Sequence, residues 1–262
     1  MRVKGVTCFL ALLLTACGGA TPSRAARTSS GQIPADALSG EMTVFAASSL
    51  TAVLEDVAAA FEAIHRDTDV TFNFAGSQQL AGQIVDGAPA DVFAPASPRH
   101  MQVVADAGLV AAAPRVFASN LLQVAVEPGN PLGIRRLADL ARPDVKVVLA
   151  AEEVPAGQYA RQALKAAGVH VQPVSLETEV KGVLSKVALG EADAGIVYVT
   201  DVIAAGGDVE GVSIPEEFNV AARYPIAVLR TAPNRTGAEA FVGFIMSPRG
   251  QAILGEQGFG QP

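Results

Sequence analysis

The chain has 262 residues, a formal net charge of −7 and 50% hydrophobic side chains, enough for a large core in one domain or two. Aromatic residues make up 5% and tryptophan is missing, which argues against a function built on base stacking. The acidic balance argues against a nucleic-acid partner, whose phosphates need basic side chains.

The chain opens MRVKGVTCFLALLLTAC. Arg2 and Lys4 form a basic start, and residues 6–14 form an apolar run too short for an ordinary membrane span. This pattern predicts a signal peptide over residues 1–16. Its end, Leu14-Thr15-Ala16-Cys17, resembles the bacterial lipobox. That resemblance implies that Cys17 becomes the lipidated first residue of the mature chain, held on the outer face of the cell membrane. The other cysteine, Cys8, leaves with the signal, so no disulfide is expected. Residues 17–40 are small, polar and proline-bearing, and read as a lipidated flexible tether.

Folding is expected to start near Met42. MTVFAAS reads as a buried strand, and residues 50–65 as a helix with apolar positions at Leu50, Val53, Leu54, Val57, Phe61 and Ile64. DVTFNFAG is a second strand, SQQLAGQIVDG a helix, ADVFAPA a third strand and PRHMQVVADAGLV a helix. This alternation predicts an α/β protein with mostly parallel sheet. NLLQVAVEP, residues 120–128, reads as one longer strand. A short helix (RRLADLA), a strand (VKVVLAAE), helices over residues 155–168 and 178–190, and a strand over residues 192–202 make a second α/β unit. RYPIAVLR is a further strand, followed by two short helices over residues 237–259 that the pattern assigns to neither unit.

Familiar catalytic constellations are missing. His65, His100 and His170 are far apart, and no HExxH, GxSxG, P-loop or dinucleotide fingerprint occurs. Asp91 could order a loop or serve as a base, and Glu152-Glu153 could be a solvated loop or an acid–base pair. The candidates that remain are four junctions that enter helices: AASSL, FAGSQQL, VPAGQYA and ETEVKGV. Helix N-termini present unpaired N–H groups and partial positive charge, so each junction can meet an oxyanion. Serine is also an ordinary N-cap. Counting from Ser49 and from Ser77, neither serine junction has Glu or Gln where a capping box needs one: Ala52 and Leu80 stand there.

The segments VFAASSL, FAGSQQLAGQI, GAPADVFAPAS, VPAGQYARQAL, EVKGVLSKVALGEADAGIVYVTD and YPIAV together resemble the periplasmic molybdate-binding proteins of ABC transporters, across about residues 42–260. The resemblance implies a type II periplasmic-binding fold, with two α/β lobes joined by two crossings around a ligand cleft. Residues 41–122 and 226–262 would form lobe 1 and residues 123–225 lobe 2, with crossings near residues 121–126 and 224–229. It implies no catalysis and no cofactor. The ligand would be molybdate or tungstate, with molybdenum held as an oxyanion and no direct cation ligands. The chain would work as a monomer and deliver to a membrane permease. The binding residues carried over are the hydroxyls of Ser49, Ser77 and Tyr198 and the backbone N–H groups of Ala156 and Val180. Ser77 is expected to turn both hydroxyl and N–H to the anion, with Gly76 giving room for the approach or for positive φ. Ser48, Gln78 and Lys181 depart from residues common in the family, as does Pro95-Ala96-Ser97. With Gly76, the first three are expected to act from behind the ligands. Sulfate binding is the alternative; hydrolysis by a serine nucleophile fits less well, for want of a base.

Overall fold

The computed structural model describes residues 38–262. The predicted signal peptide, Cys17 and most of the predicted tether lie outside the described residues.

Two five-stranded sheets organise the chain, ordered β2-β1-β3-β10-β4 and β7-β6-β8-β5-β9. The first contains β1 (Gly40–Ala47), β2 (Thr68–Ala75), β3 (Val92–Ala94), β4 (Arg115–Asn120) and β10 (Ala222–Val228). The second contains β5 (Leu122–Val126), β6 (Val147–Ala150), β7 (Ser175–Glu177), β8 (Ala194–Tyr198) and β9 (Glu210–Ser213). In each sheet two pairings are parallel and two antiparallel. The sheets are therefore mixed, where alternating strands and helices predicted mostly parallel pairing. The antiparallel pairs come from β10, which crosses back, and from β5, which lies between β8 and β9.

Both faces of the first sheet are covered, which explains why its strands read as continuous apolar runs. Along β1, Val44 and Ala46 face one core while Phe45 faces the other; along β3, Val92 and Ala94 are divided from Phe93 in the same way. Helices α1 (Thr51–Glu62), α7 (Arg235–Ile245) and α8 (Pro248–Glu256) pack on the first of these faces, and α2 (Ser77–Val85) and α3 (Pro98–Asp106) on the second. The second sheet carries α4 (Pro155–Ala166), α5 (Val180–Ala188) and α6 (Val199–Ala205). Helices α4 and α5 stop, as expected, before glycines with positive φ: Gly168 at 67° and Gly190 at 69°.

The strand read over residues 120–128 is divided between the two sheets. Asn120 ends β4 in the first sheet, Leu122 starts β5 in the second, and Leu121 is the crossing. The second crossing lies in residues 214–221, earlier than residues 224–229, because β10 already pairs with β4 from Ala222↔Asn120. The two crossings are tied together. Asn219 Oδ1 accepts from the Leu122 N–H at 2.9 Å, and Asn219 Nδ2 donates to the Leu122 carbonyl at 2.9 Å. β4, α6 and β9 were not expected from the sequence. The run read as one strand over residues 192–202 turns into α6 at Val199, where the Asp201 carboxylate accepts the Tyr198 N–H at 2.9 Å and starts the helix.

Candidate functional site

One small hollow gathers the four junctions. Ala47, Ser48 and Ser49 reach it from the end of β1 and a 3-10 turn (Ser48–Leu50) that leads into α1. Ala75, Gly76 and Ser77 reach it from the end of β2 and the start of α2. Val154, Pro155 and Ala156 come from the start of α4, Val180 from the start of α5, and Tyr198 from the end of β8. Only about 10 Å³ of the hollow is open to the centre of a water-sized sphere. Sites for drug-sized molecules run to roughly 300–1,000 Å³, so this one suits a compact ligand. No lining residue is charged.

The electrostatics come from the backbone. The first turn of each α-helix has N–H groups without intrahelical acceptors, and the macrodipole adds about half a positive charge there. Pro155 is the first residue of α4 and has no N–H, so Ala156 carries the first N–H of that helix. Val180 holds the same place in α5, whose N-cap is Glu179. The start of α4 sits tightly against the end of β6. A Cβ at Gly157 would fall far inside contact distance of the Ala150 and Ala151 carbonyl oxygens.

The three hydroxyls behave differently. Ser77 is 1% exposed, and its Oγ accepts the Ala96 N–H at 3.0 Å. That bond fixes the oxygen and leaves the hydroxyl proton to donate elsewhere. Ser49 Oγ lies 3.3 Å from the Tyr224 hydroxyl, itself fully buried. Tyr198 is 1% exposed, and its hydroxyl is buried with no hydrogen-bond partner among the described residues. The Tyr224 ring packs edge-on against it at 5.9 Å, but the Tyr224 hydroxyl is engaged with Ser49. Burial raises the pKa of Tyr198 well above its usual value, so the phenol stays a neutral donor.

The five residues carried over as ligands, Ser49, Ser77, Ala156, Val180 and Tyr198, thus line one cavity. Ser48 and Gly76, expected behind them, line it too. Gln78 and Lys181 do not. Lys181 borders a neighbouring hollow with Ser49, Thr200 and Asp201. Gly76 has φ −60°, so it is not there for positive φ. It is also the N-cap of α2, which moves the capping register by one residue. Gln79 then occupies the third helical position, and its Oε1 accepts the Gly76 N–H at 3.3 Å. The junction therefore has the side-chain half of a capping box that counting from Ser77 hid.

Outside the cavity the bland alternatives hold. Asp91 is buried and orders loops, with its two oxygens accepting the Thr43 and Asn234 N–H groups at 2.8 and 2.6 Å. Glu152 and Glu153 are exposed on a turn. His65 packs at a tilt against the Phe61 ring just beyond α1. Among the described residues no group of three or more His, Cys, Asp or Glu side chains could hold a metal ion. Sequence reasoning gave no role to Tyr224, Asp201, Gly157 or the Ala96 N–H, although all four lie inside the quoted motifs. Tyr224 and the Ala96 N–H act through partners distant in the chain, Ser49 and Ser77, while Asp201 and Gly157 act on Tyr198 and on the Ala150 and Ala151 carbonyls nearby.

A cleft between two mixed α/β sheets, lined by helix starts and neutral hydroxyls around a small hollow, defines a solute-binding protein. The family model for bacterial extracellular solute-binding proteins matches residues 42–260, and the chain belongs to that family. Within it, the molybdate-binding protein ModA of Mycobacterium tuberculosis strain H37Rv is 39% identical over 259 residues, covering 98% of this chain and 96% of its own length. The chain thus belongs with the ModA proteins, which are solute-binding proteins and not enzymes. The periplasmic molybdate-binding protein of Azotobacter vinelandii shares the fold with a TM-score of 0.74 at 22% identity, covering 84% of this chain and 99% of its own. The sulfate-binding protein SubI of Mycobacterium tuberculosis H37Rv shares it with a TM-score of 0.75 at 21% identity, over 84% of this chain and 86% of its own.

Proposed function

We propose that the protein captures molybdate, and tungstate equally, outside the membrane and hands it to an ABC permease. The observation that carries this reading is the buried Tyr198 hydroxyl without a partner, in a cavity free of charged side chains where helix starts meet. A buried donor left unpaired is costly, and a tetrahedral dianion supplies the acceptor it lacks. Molybdate and tungstate accept at all four oxygens and, when deprotonated, donate at none. Ser49, Ser77 and Tyr198 hydroxyls with the Ala156 and Val180 N–H groups would meet those oxygens without a buried counter-charge. Monohydrogen phosphate would bring a proton to a cavity built of donors and find no acceptor for it. Sulfate is smaller, and its oxygens would not reach all the donors together. The similarity to the molybdate-binding protein ModA of Mycobacterium tuberculosis supports the same choice.

Titration calorimetry on residues 40–262 with molybdate, tungstate, sulfate and phosphate tests this. Molybdate and tungstate should bind alike and sulfate far more weakly; sulfate binding as tightly as molybdate would move the assignment to the sulfate carriers. The lobes would close by hinge motion at the Leu121 and 214–221 crossings. Cys17 would carry the lipid that keeps the protein beside its permease. An intact mass of the cell-derived protein that starts elsewhere, without a lipid increment, would remove that part.

A further inference from the structure

We propose that Gln78 is a latch of the closed form, an amide that reaches from one lobe to the other beside the cavity and sets how slowly a captured anion leaves. This rests on the anion-capture reading and adds to it the residue that governs release. Gln78 stands in the first turn of α2, which packs on the first sheet. Its Nε2 donates at 2.8 Å to the carbonyl of Thr178, which follows β7 of the second sheet and leads to the start of α5. The bond joins residues 100 positions apart, and it lies close to two residues that line the cavity, Gly76 and Val180.

Gly76 makes the path. With φ −60° its backbone conformation is open to any residue, so conformational freedom does not explain the glycine. Space does. A Cβ there would stand 2.5 Å from Gln78 Nε2, 2.8 Å from Gln78 Oε1 and 2.6 Å from the Thr178 oxygen. The latch therefore runs over the bare Cα of Gly76, and any side chain at that position would push the amide and the carbonyl apart.

The latch is also weak by construction. Gln78 Oε1 is buried and has no hydrogen-bond partner. Closing thus makes one bond and strips another polar atom of water, so the second effect removes part of what the first gains. Turning the amide over would set its oxygen against the Thr178 carbonyl, so the orphan oxygen cannot be relieved in place. Such a contact does not hold the empty protein shut. Once the anion supplies its own bonds to both lobes, the Gln78–Thr178 bond must break before the lobes part. It therefore acts on the dissociation rate and leaves the encounter with the open form alone.

The test is stopped-flow kinetics of molybdate binding to the full domain, with Gln78→Met and Gly76→Ala beside the unaltered protein. Gln78→Met keeps length and neutrality and removes the donor. Gly76→Ala leaves Gln78 in place and blocks its path. Each should raise the dissociation rate roughly 3- to 10-fold, with Gln78→Met leaving the association rate unchanged. Small-angle scattering of the molybdate-saturated Gln78→Met protein should show a larger open fraction. Unaltered protein that fails to bind molybdate would end the anion reading itself. Normal binding with Gln78→Met releasing at the unaltered rate would leave that reading intact and end the latch.

Discussion

At the scale of single residues, the buried hydroxyls of Ser77 and Tyr198 differ in one property, and that property predicts opposite effects on the empty protein. Ser77 Oγ already holds the Ala96 N–H. Ser77→Ala therefore strands a buried donor and should lower apo stability by about 1–3 kcal/mol, besides weakening molybdate binding roughly 10- to 150-fold. From the sequence alone, loss of that hydroxyl should hardly touch apo stability; the Ala96 contact reverses this, so apo melting of a Ser77 variant does not separate a ligand from a cap. Tyr198 does separate them. Its hydroxyl has no hydrogen-bond partner among the described residues, so Tyr198→Phe should raise the apo melting temperature while cutting molybdate affinity at least about 10-fold. Paired melting and calorimetry on the Phe variant decide the matter. A lower apo melting temperature with affinity intact would mean that Tyr198 serves the core.

At the scale of elements, the site depends on how closely helix starts approach strand ends. Helix α4 presents Ala156 only because Gly157 lets its first turn rest on the Ala150 and Ala151 carbonyl oxygens at the end of β6. Gly157→Ala would usually favour a helix, since alanine has the higher intrinsic propensity by about 1 kcal/mol. Here overpacking against backbone should win, costing roughly 1–3 kcal/mol of stability and drawing the Ala156 N–H away from the cavity. Chemical denaturation and molybdate titration should both show a loss. A stabilised variant with full affinity would mean that α4 has slack at its start. The register of α2 belongs to this scale too. Gly76 as N-cap rather than Ser77 is a one-residue difference, yet it moves Gln79 onto the Gly76 N–H and frees Ser77 for the cavity.

At the scale of the whole molecule, folding brings titratable groups into low-dielectric surroundings with opposite consequences for pH. Asp201 is 3% exposed, and burial pushes its pKa up to about 7 against the pull of the Tyr198 N–H and the Lys181 charge. A solvated aspartate titrates near about 3.9. Across the interval between the two values the folded form binds more protons than the unfolded chain, so stability falls as pH rises and levels off above the upper value. His100 works the other way. It lies 2.8 Å from Ser97 Oγ, and burial, helped by Arg99, lowers its pKa against a smaller upward effect of the Glu153 backbone. Its neutral form is favoured, so stability is lost as pH drops below the ordinary histidine value of about 6.5. Asp201→Asn keeps an acceptor for the Tyr198 N–H and removes only the carboxylate titration. Its melting temperature relative to the unaltered protein should climb from about pH 4 to about pH 7 and then stay level. A difference that does not change with pH would show that Asp201 does not titrate in that range.

Local pattern alone carried the α/β class, most elements and the four helix-entering junctions, because apolar periodicity and glycine stops are written in neighbouring residues. The family motifs, which are also contiguous strings, carried the proposed ligand residues to the wall of one cavity. Tertiary structure decided what contiguous strings cannot express. β4 and β5 follow one another with only Leu121 between them yet belong to different sheets, which shows only in the strands each pairs with. Asn219 binding Leu122, Ser77 holding Ala96, Gln78 reaching Thr178 and the orphan hydroxyl of Tyr198 each depend on groups brought together by folding. A hydrogen bond is a property of two atoms in space, and the sequence names the atoms without the distance between them.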